Sequence, residues 1–178
     1  MALSHAILVS LSERAATGYD LGRRFDASIG HFWRASHQQI YKVLGQMEAD
    51  GLVASEAVAQ AGKPDKKVYV MTAAGHDELR RWAATPTSPE PLRSEFAVKL
   101  RALGERDRAA AIDDVERRRS EHLTRLEYYE KSAARFYPDP SVIDDEALGA
   151  WLVLRGGVIA EEAGIRWCDE ILERLGSR

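Results

Sequence analysis

Between Ser36 and Lys42 the chain reads Ser-His-Gln-Gln-Ile-Tyr-Lys, a run of hydrogen-bonding side chains broken by one apolar residue. Glutamine can pair with both hydrogen-bonding groups on the major-groove edge of adenine, and histidine or serine can donate to a base or a phosphate. Arg34 lies just upstream, and Lys63, Lys66 and Lys67 follow within five residues of one another. Such cations suit phosphate oxygens. Each group also has a plainer reading, as solvated residues of a helix start and of a turn. Other chemistry finds little support. The sequence holds no Gly-x-Ser-x-Gly, no glycine-rich phosphate loop and no His-Glu-x-x-His. His5, His31, His37, His76 and His122 lack the spacing of metal ligands, and Cys168 sits within a helical apolar pattern. No catalytic residue, metal or cofactor is expected, and the chain does not read as an enzyme.

The elements that must position these side chains follow from capping signals and periodicity. Ser4 is expected to cap a first helix with Ile7, Leu8 and Leu11 on one face. Thr17 opens a second helix and Ser36 a third, with Asp20 and Gln39 at the reciprocal capping-box positions. In the third, Ile40, Val43, Leu44 and Met47 form the core stripe, which leaves Gln38, Tyr41 and Lys42 off it. Asp50-Gly51 should end that helix, because glycine readily takes the left-handed conformation. Residues 52–59 and 67–71 read as two strands joined by a turn containing Gly62-Lys63-Pro64-Asp65. Thr72 caps a fourth helix running to Trp82, and Trp33 reads as a plug beneath the third. Three helices, a hairpin and a fourth helix make the order of a winged helix-turn-helix, whose third helix enters the major groove N-terminal end first. The polar tip and the lysines fall on the parts such a fold presents to DNA, while Glu48 and Asp50 fall at the far end of the helix.

With 178 residues, 45% of them hydrophobic and 30% charged, the chain has the composition of an ordinary globular protein of one or two small domains. A net charge of −3 argues against a nonspecific polycation but permits a local basic edge. The longest apolar run, Ala150 to Leu154, has five residues, against about 20 for a membrane helix, so no membrane partner is expected. The start MALSHAIL lacks the basic region of a secretory leader. One cysteine suits a reducing compartment, so a cytoplasmic location is expected. The proline-rich stretch from Thr85 to Pro91 marks a linker between a DNA-binding domain over 1–86 and a helical domain over 92–178.

In that second domain Ile112, Val115, Arg119, His122, Leu126, Tyr129, Ala133 and Phe136 follow one stripe of a helix about 45 Å long. A last helix from Asp144 to Leu175 is apolar on two sides. Leu148, Trp151, Val158, Ile165, Cys168 and Leu172 form the stripe assigned to a homodimer interface, and Leu152, Ile159, Ala163, Trp167 and Ile171 form the other. A helix apolar on two sides needs two neighbours, one within the chain and one from a partner subunit. Gly149, Gly156, Ala160 and Ala163 would allow close helix crossing there. Arg119 and His122 interrupt the apolar stripe, either as exposed positions or as groups that set partner choice. Trp33, Trp82, Trp151 and Trp167 are candidates to line a pocket for an aromatic effector, although Trp151 and Trp167 lie about 160° apart on their helix.

Gly18-Tyr19-Asp20-Leu21, Trp33, Ile40-Tyr41, the run from Glu48 to Val53, Tyr69 and the run from Thr72 to Gly75 form a pattern over residues 5–82. That pattern resembles the DNA-binding domain of the PadR family of bacterial transcriptional regulators. Residues 92–175 resemble the helical domain of its phenolic-acid-responsive subgroup. Many members place a Ser-Pro-Gly turn where this chain has Ala35-Ser36-His37-Gln38-Gln39, so no base preference is carried over. The resemblance implies a mainly α chain, a winged helix-turn-helix followed by a long-helix dimerisation domain. It also implies a dimeric repressor on a palindromic operator, with double-stranded DNA, a second copy and a small-molecule effector as partners. Arg34, Ser36, His37, Gln38, Gln39, Tyr41, Lys42, Lys63, Lys66 and Lys67 are the DNA-binding candidates. The competing reading is a winged-helix protein-interaction module on a helical scaffold.

Overall fold

The structure is a computed structural model that describes residues 2–27, 35–60, 63–87, 94–105 and 107–176. Seven α-helices and three strands occur among them, grouped into two compact units, Met1–Glu90 and Pro91–Arg178. No described helix is long and apolar enough to cross a membrane.

In the first unit, α1 (Ala2–Glu13) starts two residues before Ser4, so that serine lies inside the helix and does not cap it. Ile7, Leu8 and Leu11 do share a buried face. Arg24, on α2 (Gly18–Ala27), donates to the carbonyls of Ser10, Arg14 and Ala15 at 2.9–3.0 Å. It thereby satisfies acceptors that the end of α1 leaves open. The start of α2 carries the expected reciprocal cap: the Asp20 amide donates to Thr17 Oγ1 at 3.0 Å, and the Thr17 hydroxyl to Asp20 at 2.7 Å. Helix α3 (His37–Ala49) buries Ile40, Leu44 and Met47 against Ile7, Leu8, Leu21 and Phe25. Gly51, at φ 72°, closes α3 with its amide on Glu48 O and that of Leu52 on Met47 O. Those two bonds are the Schellman pattern.

The sheet departs from the sequence reading in two ways. A short strand, β1 (Ala16–Thr17), pairs with β3 (Lys63–Met71), giving the order β1-β3-β2. Strands β2 (Val53–Gln60) and β3 also run further towards their turn than expected. Lys63, Lys66 and Lys67 therefore stand in β3, opposite Gln60, Val58 and Ala57, and not in the turn. Backbone pairing drew in residues whose side chains read as loop. At the other end Thr72 caps α4 (Ala73–Ala83), and its hydroxyl donates to the carbonyls of Gly51 and Leu52.

In the second unit, α5 (Glu95–Arg101) was not foreseen; Ser94 caps it and Phe96 buries its ring with Val115 and Cys168. The long helices α6 (Arg108–Phe136) and α7 (Asp145–Gly176) match the sequence reading closely. They run antiparallel, since Arg119 pairs with Asp169 while Tyr129 lies on Gly157. A β-carbon on Gly157 or Gly164 would press into Tyr129 or His122, whereas Gly149 and Gly156 have nothing within 4 Å. The close crossing thus uses different glycines from those expected.

Gly75 and Gly45 make a direct test of packing. A methyl at Gly75 would run into the Leu52 carbonyl, while Gly45 faces open space in mid-helix. Gly75→Ala should lower unfolding free energy by about 2 kcal/mol, as overpacking against backbone does. Gly45→Ala should raise it by up to about 1 kcal/mol. Urea titration of both variants checks the two signs.

Candidate nucleic-acid interface

Helix α3 is held at both ends, and its caps decide which polar side chains it can offer. Ser36 Oγ accepts from the Gln39 amide at 3.2 Å, and the Ser36 amide donates to Gln39 Oε1 at 2.9 Å. Ser36 and Gln39 are therefore committed to the cap. Its first-turn amides still give that end positive dipole character towards an anion. Gln38 and Lys42 are exposed and lie opposite the buried Ile40 stripe. They form the centre of the outward face.

His37 and Tyr41 have a second task. Gly18 and Gly22 lie one turn apart on α2, and a β-carbon on either would overlap the Tyr41 or the His37 ring. Both rings lie along α2 while remaining exposed, Tyr41 to 50%. Tyr19, 58% exposed, adds a third ring with its centroid 6.2 Å from that of His37. Sequence reading passed over Tyr19 as a candidate. The signal available was its place beside Gly18, at the start of a helix that two glycines open to close packing.

The wing lysines divide. Lys67 donates to Glu48 at 2.7 Å and lies 5.2 Å from the Tyr69 ring centroid. The bond from Lys67, with one from Ser55, holds the Glu48 carboxyl below its ordinary range, and Glu48 in turn raises the Lys67 ammonium. The acid expected to sit remote from any ligand thus neutralises a cation expected to face it. Lys66 is exposed. It contributes, after the Thr17 hydroxyl, to keeping the Asp20 carboxyl below its ordinary value. Lys63 is described only by its place in β3, and Arg34 and Trp33 lie outside the described residues. Trp82 stacks on His5 at 4.5 Å, and His5 bonds Glu78 at 3.0 Å, so this ring joins α1 to α4.

In the second unit the stripe assigned to a partner divides by burial. Val158 and Cys168 are 6% and 0% exposed within the chain itself, and Leu172 packs beside Cys168. They face α5 and α6. Leu148, Leu152, Ile159 and Ala163 instead share a sector about 60° wide at 100° per residue. Its three large members are 38%, 54% and 50% exposed. Leu148, which the sequence reading also assigns to the partner, lies about 80° from Val158 around α7, because a 3-4 step tracks a stripe only approximately over three turns. The polar breaks in the α6 stripe are paired within the chain. Arg119 binds Asp169, and Glu161 accepts from Arg125 Nε at 2.9 Å and bonds His122 Nδ1.

Comparison with known proteins matches residues 7–81 to the transcriptional regulator PadR-like family and residues 92–176 to the virulence activator alpha C-terminal family. The "Probable transcriptional regulator Rv1176c" of Mycobacterium tuberculosis is 49% identical, with 98% of each chain covered. The negative transcriptional regulator PadR of Bacillus subtilis is 30% identical over 97% of each. The structure of that PadR with operator DNA superposes with a TM-score of 0.87 at 27% identity, covering 98% of this chain and 99% of that one. Its complex with p-coumaric acid gives 0.82 at 26% identity, covering 99% of each.

The Glu161 cluster generates a pH test. Burial opposes ionisation of this carboxyl, but the bonds from Arg125 and His122 prevail and hold it below its ordinary value. Stability from such a group is present above the unfolded carboxyl pKa of about 4.3 and is lost as pH falls through the folded value. Glu161→Gln should lower stability at pH 7 by about 1–3 kcal/mol. It should also reduce the loss of stability below about pH 4.3. Denaturant titrations at pH 7 and pH 3 of both proteins read this out.

Proposed function

The chain belongs to the PadR-like family of transcriptional regulators, and from that premise we propose that it is a cytoplasmic homodimeric repressor, released by a small molecule, that reads a two-fold-symmetric operator through α3. One observation carries the reading: the capped N-terminus of α3 leaves Gln38 and Lys42 exposed on its outward face. That the Bacillus subtilis relative has been solved both on operator DNA and with p-coumaric acid supports the DNA and effector parts.

Division of labour follows from the contacts. Gln38 is the base reader, able to donate and accept at one adenine edge. Lys42 and Lys66 are phosphate contacts, together with the first-turn amides of α3 and the hydroxyls of Tyr19 and Tyr41. Ser36 and Gln39 set the pose of the helix through their cap. Lys67 is held by Glu48 and contributes less charge to the DNA than Lys66. Arg34, Lys63 and His37 complete the proposed surface. For assembly, the exposed Leu148, Leu152 and Ile159 sector of α7 is the proposed partner contact, with Trp151 at its flank, while Ile165 falls between Leu172 and Val158 on the side turned to α6. Val158, Cys168 and Leu172 support it from behind.

A gel shift against operator and random-sequence DNA tests the central reading; equal affinity for both, or none for either, would leave the interaction-module alternative standing. Gln38→Ala should cut discrimination by about 1–3 kcal/mol at particular base pairs. Lys66→Ala should flatten the slope of log K against log salt by about 0.9 for each phosphate it no longer neutralises, up to about 1.8 in a dimer. Lys67→Ala should change that slope less, and both lysine variants should leave the operator-to-random ratio nearly unchanged.

Assembly separates the two faces of α7. Ile159→Asp should convert the dimer to a folded monomer in sedimentation, whereas Val158→Asp should unfold the second unit. A fully dimeric Ile159→Asp protein would remove this sector from the interface.

A further inference from the structure

A groove of about 240 Å³ opens between the C-terminal half of α6 and the N-terminal half of α7. Its floor is apolar, formed by Trp151, Leu154 and Val158, with Val158 buried and the other two half-buried. Three charged side chains, Glu130, Arg155 and Glu162, line the same space, and none of them has a hydrogen bond or ion pair among the described residues. Several other charges on these helices are paired, Arg117 with Asp114 and Glu121, Lys131 with Glu127, Arg119 with Asp169, and Arg125 with Glu161, while Asp113, Glu116 and Arg166 stand exposed on helix surface away from this hollow. What distinguishes this place is the hollow itself, where three unpaired charges border an apolar floor that includes an indole.

We propose that this groove is a receptor for a small organic monocation with one ring or a branched apolar body. Two carboxylates against one guanidinium give the hollow a net charge of −1, and the indole of Trp151 offers the aromatic surface that attracts cations most strongly. A receptor for an anion would need the opposite balance. Size limits the ligand: drug-sized molecules take pockets of roughly 300–1,000 Å³, so this hollow holds a single-ring compound. Arg155, exposed at the rim, opposes a cation and weakens its binding, which gives the proposal a signature of its own. The site lies wholly within the second unit and does not depend on the DNA-binding reading.

The test is calorimetric titration of the full chain, without DNA, using benzyltrimethylammonium chloride as the probe, with benzyl alcohol and phenylacetate as its neutral and anionic counterparts. Saturable binding of the cation alone is expected. Glu130→Gln with Glu162→Gln should weaken it by about tenfold, from loss of two nearby opposite charges. Trp151→Leu, which keeps the apolar floor, should weaken it by about threefold. Arg155→Gln should tighten it. These positions are exposed or half-buried, the two glutamate changes are isosteric, and circular dichroism verifies the fold of each variant. No saturable binding, equal binding of phenylacetate, or indifference to the double variant would overturn the proposal. Sedimentation at saturating probe supplies the remaining arm: binding with the dimer intact supports a ligand site. Binding only as the dimer dissociates would show that a second copy occupies the groove, and would overturn it too. A gel shift run separately keeps failure here distinct from failure of the DNA reading.

Discussion

Both units depend on the same steric device, an aromatic ring lying where a neighbouring helix has no side chain. Gly18 and Gly22 admit Tyr41 and His37 between α2 and α3; Gly157 and Gly164 admit Tyr129 and His122 between α6 and α7. The spacing of the rings matches that of the glycines, one turn apart in the first pair and two turns in the second. Close approach at these points fixes the rotation of each helix about its axis. In the first unit that rotation aims Gln38 and Lys42 outward. In the second it brings Arg125 and His122 onto the buried Glu161, whose charge would otherwise be costly to keep.

The ends of α3 work with this constraint. A reciprocal side-chain cap begins the helix and a left-handed glycine ends it, so its length is settled locally while its rotation is settled by α2. The result separates two jobs within four consecutive polar residues. Ser36 and Gln39 close the helix, His37 leans on α2, and Gln38 is the one directed away from the protein. A similar partition holds in the wing, where one lysine is tied to α3 through Glu48 and its neighbour is exposed.

Much of this was legible in the sequence, for local reasons. Caps at Thr17, Ser36 and Thr72, the stop at Gly51 and the Ile40 stripe all involve residues within a few positions of each other, and the long helices announced themselves by periodicity. What the sequence hid depends on partners far along the chain. Strand β1 exists because Ala16 and Thr17 meet Tyr69 and Val68, and two residues carry no period of their own. The wing strands extend because each pairs with the other. Lys67 looked like a free cation because Glu48 is nineteen positions away. On α7 both faces are apolar, and composition alone could not say which one α6 would cover.

Cys168 follows from that last choice. The chain's only thiol has no exposed surface, is packed with Phe96 and Val115, and has its ionisation pushed up by burial. A thiolate is needed for alkylation or oxidation, so the folded protein is protected on both counts, by access and by protonation. The sulfur reacts only when α5, α6 and α7 separate, and the rate at which a reagent consumes it therefore counts openings of that bundle. The second unit carries its own clock for local unfolding, set by a single atom and read by an ordinary thiol reagent.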